Sequence, residues 1–103
     1  MIIVLTTVSD MDEGMRLADL LVRSMSAACV QILPQMTSVY MWKGELQKDT
    51  EHLLLIKTLE SEWEEIERII SSEHTYETPE IVRIDAAQVS AGYLEWLTSI
   101  VGE

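Results

Sequence analysis

The sequence predicts an α+β fold, a ferredoxin-like βαββαβ sandwich with an added C-terminal helix. Three observations predict it. Four runs are β-branched or apolar without helical period, and two longer segments between them repeat apolar residues at helical spacing. The second and third of the β-prone runs meet at Lys43-Gly44-Glu45, a glycine between charged residues, which signals a hairpin turn. The order of the segments then leaves two helices to cover one face of a four-stranded antiparallel sheet.

Ile2 to Val8 is the first strand, with β-branched residues at most positions. Asp10 and Glu13 stand three apart and resemble a capping box, so a helix is expected from there to about Ser26. Leu17, Ala18, Leu21, Val22 and Met25 form its apolar stripe. Gly14 inside that helix costs it up to ~1 kcal/mol and suggests close approach to the sheet. Ala27 to Trp42 is the second strand, which Pro34 interrupts with a bulge, an edge or a break, because proline cannot donate to the ladder. Leu46 to Asp49 is expected to complete the turn region, and Glu51 to Thr58 is the third strand. Ser61-Glu62-Trp63-Glu64 reads as a capping box opening a second helix to about Ser72. His74 to Glu80 is a loop, since Pro79 bars helix before it, and Glu80 to Asp85 is the fourth strand. Ser90 is placed to cap the last helix, in which Tyr93, Leu94, Trp96, Leu97 and Ile100 are apolar. Residues 1–103 are expected to make one domain.

Strands one, three and four are apolar on both faces: Ile2 and Val4 against Ile3 and Leu5, Leu53 and Leu55 against Leu54 and Ile56, Ile81 against Val82. Two helices cover only one face. An apolar area of that size left in water exceeds what monomers show, so the sheet is expected to associate with other copies of the chain. Tyr40 and Trp42, two apart near the hairpin tip, project from one strand face and need the same cover.

The net charge is −11 with 48% hydrophobic residues, which excludes disorder and argues against nucleic acid and anionic membranes as partners. It suits a cationic partner, metal ions included. A single cysteine, Cys29, gives no disulfide framework and fits a reducing cytoplasm. The apolar N-terminal run is too short to span a membrane and lacks the basic flank of a signal peptide.

Several short patterns, in one order along nearly the whole chain, carry a family likeness. They are Ala27-Ala28-Cys29-Val30, Thr37-Ser38-Val39-Tyr40 with Trp42-Lys43-Gly44, Ile56-Lys57-Thr58, His74-x-Tyr76-Glu77-x-Pro79-Glu80-Ile81, and Tyr93-Leu94-Glu95-Trp96-Leu97. Together they resemble CutA, the divalent-cation tolerance family. The resemblance implies a protomer and homotrimer similar in architecture to the PII signalling proteins, with hairpin strands pairing between subunits. It implies a cytoplasmic role in tolerance of divalent metals, copper especially. The chain departs from the family at Gln31, where asparagine is usual, and at Thr75, where proline stiffens the turn. It departs again at Thr6, where some bacterial members carry a cysteine that binds copper through its thiol.

His74 is the leading candidate metal ligand, with Glu77 beside it and Cys29 as a soft-sulfur alternative; copper or zinc suits imidazole with carboxylates. Against this, His74 also reads as a structural turn residue, and Cys29 as a buried inert thiol. Tyr40, Trp42, Lys57, Tyr76 and Trp96 are candidates for an intersubunit interface or cleft, with plain aromatic packing as the alternative. Lys57 is expected to pair with a carboxylate such as Glu77, or to bind an anion in the cleft. Catalysis finds no support: there is no glycine-rich phosphate loop, and the segment after the first strand is acidic where an acylphosphatase needs a basic cradle. The expected function is therefore metal-ion binding by a homotrimer, with a PII-like module holding a small molecule between subunits as the rival.

Overall fold

A computed structural model of the protein describes residues 1–101; the last two residues of the expected domain, 102 and 103, lie outside them. The elements run β1 (Ile2–Val8), α1 (Met11–Arg23), β2 (Cys29–Trp42), β3 (Glu45–Thr58), α2 (Trp63–Glu73), β4 (Val82–Asp85) and α3 (Ala91–Val101). The sheet order is β2-β3-β1-β4 and every pairing is antiparallel, which is the ferredoxin-like arrangement.

The core lies between the sheet and the pair α1 and α2. Ile2, Val4, Val8, Leu54 and Ile56 of the sheet meet Leu17 and Leu21 of α1 and Ile66, Ile69 and Ile70 of α2. A smaller cluster at one end joins α3, through Leu97 and Val101, to Ala28, Met1 and Leu59. The opposite sheet face keeps its apolar side chains: Leu33, Val82 and Ile84 are exposed, and Ile3, Leu5, Leu53 and Leu55 are half-buried.

The local devices explain the element ends. Asp10 caps α1 by accepting the Glu13 N–H at 2.8 Å. The helix stops at Arg23, earlier than expected, because Met25 turns to φ 60° and the Ser26 and Ala27 N–H groups both close on the Leu21 carbonyl. Gly14 lies flat against β1: a Cβ there would stand 3.1 Å from Val8 Cγ2. Pro34 falls at an interruption in the β2–β3 register between Leu33 and Met36, with Gln35 at φ 43°.

Three expectations need correction. The segment Leu46 to Asp49 is strand rather than turn, because Lys43 (φ 51°) and Gly44 (φ 82°) complete a two-residue hairpin turn with both centres left-handed. Its side chains stand free of the core and so lack the alternation that marks a half-buried strand. The Ser61 pattern does not cap α2; a single 3₁₀ turn, Glu60–Glu62, leads in from Leu59 without a side-chain cap. The fourth strand begins at Val82, not Glu80.

β1 pairs only with His52 to Thr58 of β3. The outer half of the β2–β3 hairpin therefore projects past the core, and the chain measures 45 × 25 × 22 Å. Beside that projecting half runs the 74–80 segment, and between the two lies the site.

Candidate functional site

An open groove of about 940 Å³ separates the outer hairpin from the 74–80 segment. The hairpin contributes Ser38, Val39, Tyr40, Trp42, Asp49, Thr50 and Glu51; the loop contributes Thr75 to Thr78 and Glu80; Thr7 and Ser9 close one end. Strand pairing sets the hairpin wall. Ser38 faces Asp49, Tyr40 faces Gln47 and Trp42 faces Glu45, so the two aromatics and the Asp49 and Glu51 carboxylates share one face.

The loop wall is fixed by hydrogen bonds to buried groups. The His74 side chain is fully buried. Its Nε2 lies 2.7 Å from the Thr7 carbonyl, which only accepts, so Nε2 carries the proton. Its Nδ1 then accepts the Tyr76 N–H at 3.0 Å. The Glu13 carboxylate of α1, 8% exposed, accepts from both the N–H and the hydroxyl of Thr75 and stands 3.7 Å from His74 Nδ1. The His74 and Tyr76 rings pack at 4.6 Å.

Tyr76 carries the loop to the hairpin. Its phenol donates to Glu51 Oε2 at 2.6 Å. Burial first, and then the Glu51 carboxylate, push that phenol above its ordinary pKa, so it stays a neutral donor. Across the groove the Tyr40 phenol donates to Asp49, and that bond raises its pKa likewise. Two of the four carboxylates lining the groove, Asp49 and Glu51, thus hold phenol donors; Glu51 is buried, and Asp49, Glu77 and Glu80 are exposed. Among the described residues no lysine, arginine or histidine lines the groove.

Of the residues singled out in the sequence, Tyr40, Trp42, Tyr76 and Glu77 come together here. The others do not. His74 spends both ring nitrogens on the backbone and has no lone pair left for a metal, so the ligand role gives way to that of a loop clamp. Cys29 sits half-buried in β2 opposite Lys57, at the other end of the hairpin. Lys57 does not reach Glu77; its Nζ stands 5.7 Å from the centre of the Tyr93 ring. Trp96 lies on α3 against Tyr93, ring centres 5.5 Å apart, away from the groove. Among the described residues no three His, Cys, Asp or Glu side chains gather as they would to cage a metal ion.

Asp49, Glu51, Glu13 and Thr75 escape the sequence reading. One signal existed for Glu51: it keeps step with Leu53 and Leu55 along β3, on a face that the neighbouring residues mark as apolar.

A family model described as CutA1 divalent ion tolerance protein matches residues 2–99. The chain is 38% identical over 100 residues to the divalent-cation tolerance protein CutA of Thermus thermophilus, covering 97% of each. It is 41% identical over 96 residues to the chloroplastic protein CutA of Arabidopsis thaliana, covering 93% of this chain. The chain spans about half the length of that plant relative, 53%. Among solved structures, the Thermus thermophilus divalent cation tolerance protein superposes with a TM-score of 0.94 at 38% identity, covering 99% of this chain and 100% of that one. CutA1 from Pyrococcus horikoshii superposes with a TM-score of 0.91 at 34% identity, covering 96% of both chains.

Proposed function

The chain belongs to the CutA1 divalent ion tolerance family, and on that premise we propose that it serves divalent-cation tolerance as a homotrimer that binds copper, zinc or similar ions. One observation carries the binding role. Asp49 and Glu51 from the hairpin and Glu77 and Glu80 from the loop face one groove, and among the described residues no cationic side chain lines it. Such a lining attracts cations, and the net charge of −11 adds to the pull. The carboxylates are strung out rather than gathered, so an ion meets one or two of them and keeps much of its water. That is exchangeable cargo, not a resident metal, and it asks for no catalytic step. A cytoplasmic setting belongs to the same reading, supported by the lone unpaired cysteine.

Assembly is supported by the uncovered side of the sheet, where Leu33, Val82 and Ile84 are exposed, and by Val39, Met41 and Leu46 on the projecting hairpin, 59–62% exposed. The rival reading, an organic anion held between subunits, depended on Lys57 for charge. Within one chain Lys57 lies 5.7 Å from the Tyr93 ring centre and does not line the groove, which favours the cation reading.

Calorimetric titration of copper and zinc into the protein and into Glu77→Gln tests the binding role. Affinity is expected to fall several-fold in the variant. Equal affinity in both, or no saturable uptake, overturns it. Sedimentation equilibrium tests the assembly: a species of 11.7 kDa, one chain, at micromolar concentration removes the trimer.

A further inference from the structure

We propose that His74 is an acid-sensitive latch on the loop wall of the groove. A second proton, taken at Nδ1, turns the ring from the Tyr76 N–H to the Glu13 carboxylate and frees Tyr76 from the hairpin. The device lies wholly within one chain and stands whether or not the groove takes up metal.

The geometry at Nδ1 carries the inference. Neutral His74 keeps its one proton on Nε2, 2.7 Å from the Thr7 carbonyl, and Nδ1 accepts the Tyr76 N–H at 3.0 Å. A second proton leaves the Nε2 bond as it is and reverses the role of Nδ1 alone. The Tyr76 N–H then faces another N–H and loses its acceptor. The Glu13 carboxylate, 3.7 Å from the same nitrogen, is at hand to accept from it. One ring position therefore serves two partners, and the proton decides between them.

The receiving side is built for a charge. Glu13 is 8% exposed, and among the described residues no cationic side chain other than His74 stands within 4.0 Å of its carboxylate. Two neutral donors of Thr75 hold it, both on Oε2. A buried carboxylate so placed gains from a cation beside it. The His74 N–H also closes α2 on the Ile70 carbonyl at 2.9 Å, which sets the ring at the negative end of that helix. Burial of the ring opposes the charge, and the carboxylate and the helix end favour it. The other charges around the ring are engaged elsewhere. Glu73 of α2 pairs with Arg16 of α1, Glu51 of β3 accepts the Tyr76 phenol, and Glu77 along the loop is exposed. β1 meets the ring through the Thr7 carbonyl, which does not titrate.

The release reaches the groove through Tyr76. Its ring packs on that of His74, centres 4.6 Å apart, and its phenol donates to Glu51 Oε2 at 2.6 Å, which ties the loop to the hairpin. Displacing the Tyr76 N–H shifts the residue that makes this tie, so the loop wall parts from the hairpin wall when His74 takes the proton. Thr75 stays with Glu13 throughout, because a carboxylate has lone pairs enough for a third donor. A change at one nitrogen is thus read out across the groove.

The test is a magnetic resonance titration of the full chain in its native assembly, isotope-labelled at the histidine ring nitrogens and the backbone amides. It runs from about pH 8 to about pH 5, the range in which histidine ordinarily changes charge, with EDTA present so that metal plays no part. The protein has two histidines, and His52→Gln identifies the ring signals of His74. At the upper end Nε2 alone is expected to carry a proton. On acidification Nδ1 gains one, and the Tyr76 amide shifts in the same step while circular dichroism holds steady. Glu13→Gln, which keeps an acceptor for Thr75 but no charge, should weaken the proton uptake about tenfold. A proton on Nδ1 with the Tyr76 amide unmoved overturns the proposal. So does a His74 ring that keeps a single proton until the whole fold is lost. So does equal uptake in Glu13→Gln and the wild type. If Glu13→Gln does not fold, the wild-type titration decides alone. Metal uptake enters none of these readouts, so its failure removes the metal reading and leaves the latch to be judged by itself.

Discussion

Thr75 donates two hydrogen bonds to the Glu13 carboxylate, from its backbone N–H at 3.1 Å and from its hydroxyl at 3.0 Å. The pair ties the first turn of α1 to a loop 62 residues away, and it fixes the wall of the groove. Glu13 is buried, so its charge is held by these donors rather than by water. Glu13→Ala is expected to cost about 1.5–3 kcal/mol, the range for hydrogen bonds to a charged acceptor. Urea denaturation at fixed protein concentration measures it; a loss below about 0.5 kcal/mol would mean that the loop is held by His74 alone.

Gly14 poses a contest between two effects. Alanine is the better helix former by about 1 kcal/mol, and Gly14 has ordinary helical geometry in α1. Yet the new Cβ would stand 3.1 Å from Val8 Cγ2, and Val8 is fully buried. A β-branched side chain has little rotamer freedom with which to retreat. Overpacking of this kind costs about 1–3 kcal/mol, so Gly14→Ala is expected to destabilise by about 1 kcal/mol net. The same substitution made in a Val8→Ala background should be stabilising. A double-mutant cycle in urea checks the sign; stabilisation in the wild-type background would show that the helix rides outward at little cost.

The contrast between Gly14 and Asp49 shows what the sequence discloses. Gly14 sits inside a helical repeat where any other small residue serves better, so its presence signals close approach, and the contact with Val8 is there. Tyr40 and Trp42 were legible for the same kind of reason: their spacing fixes them on one strand face whatever lies opposite. Asp49 gave no such sign. It lies in a polar stretch of a strand that projects beyond the core, where no burial imposes alternation. The network of Glu13, Thr75 and Tyr76 joins segments far apart in the chain, and nothing local to any member announces its partner. The two readings of His74 stay open in the sequence because an imidazole near carboxylates looks alike as ligand and as clamp. Only the positions of the Thr7 carbonyl and the Tyr76 N–H separate the two roles.

The hairpin turn offers a stabilising change. Lys43 and Gly44 both occupy the left-handed region, at φ 51° and 82°. Lysine there is strained, whereas asparagine tolerates the conformation and Asn-Gly is the favoured pair for this turn. Lys43→Asn is expected to add about 0.5–1 kcal/mol. Gly44→Ala should cost about 1 kcal/mol, although nothing lies within 4 Å of the added Cβ, because the penalty resides in the backbone alone. Thermal denaturation of the two variants separates these outcomes. Loss of stability in Lys43→Asn would instead assign weight to the Lys43 contact with the Trp42 ring.

Tyr76 and Glu51 make the fold sensitive to alkali. Burial and the neighbouring carboxylate raise the Tyr76 phenol above its ordinary value near 10. The folded state therefore holds that proton more tightly than the unfolded chain does. The resulting stability is fully present below about pH 10 and is lost as the pH climbs through the raised folded value, where a phenolate would face Glu51. The protein has three tyrosines, and Tyr40, raised by its bond to Asp49, is exposed where Tyr76 is half-buried. Absorbance titration should thus show one phenol ionising late, together with loss of structure rather than before it. Tyr76→Phe removes the titrating group and leaves Glu51 without its donor. It should lower stability at neutral pH by about 1.5–3 kcal/mol and flatten the decline above pH 10. An unchanged alkaline slope in that variant would assign the sensitivity to another group.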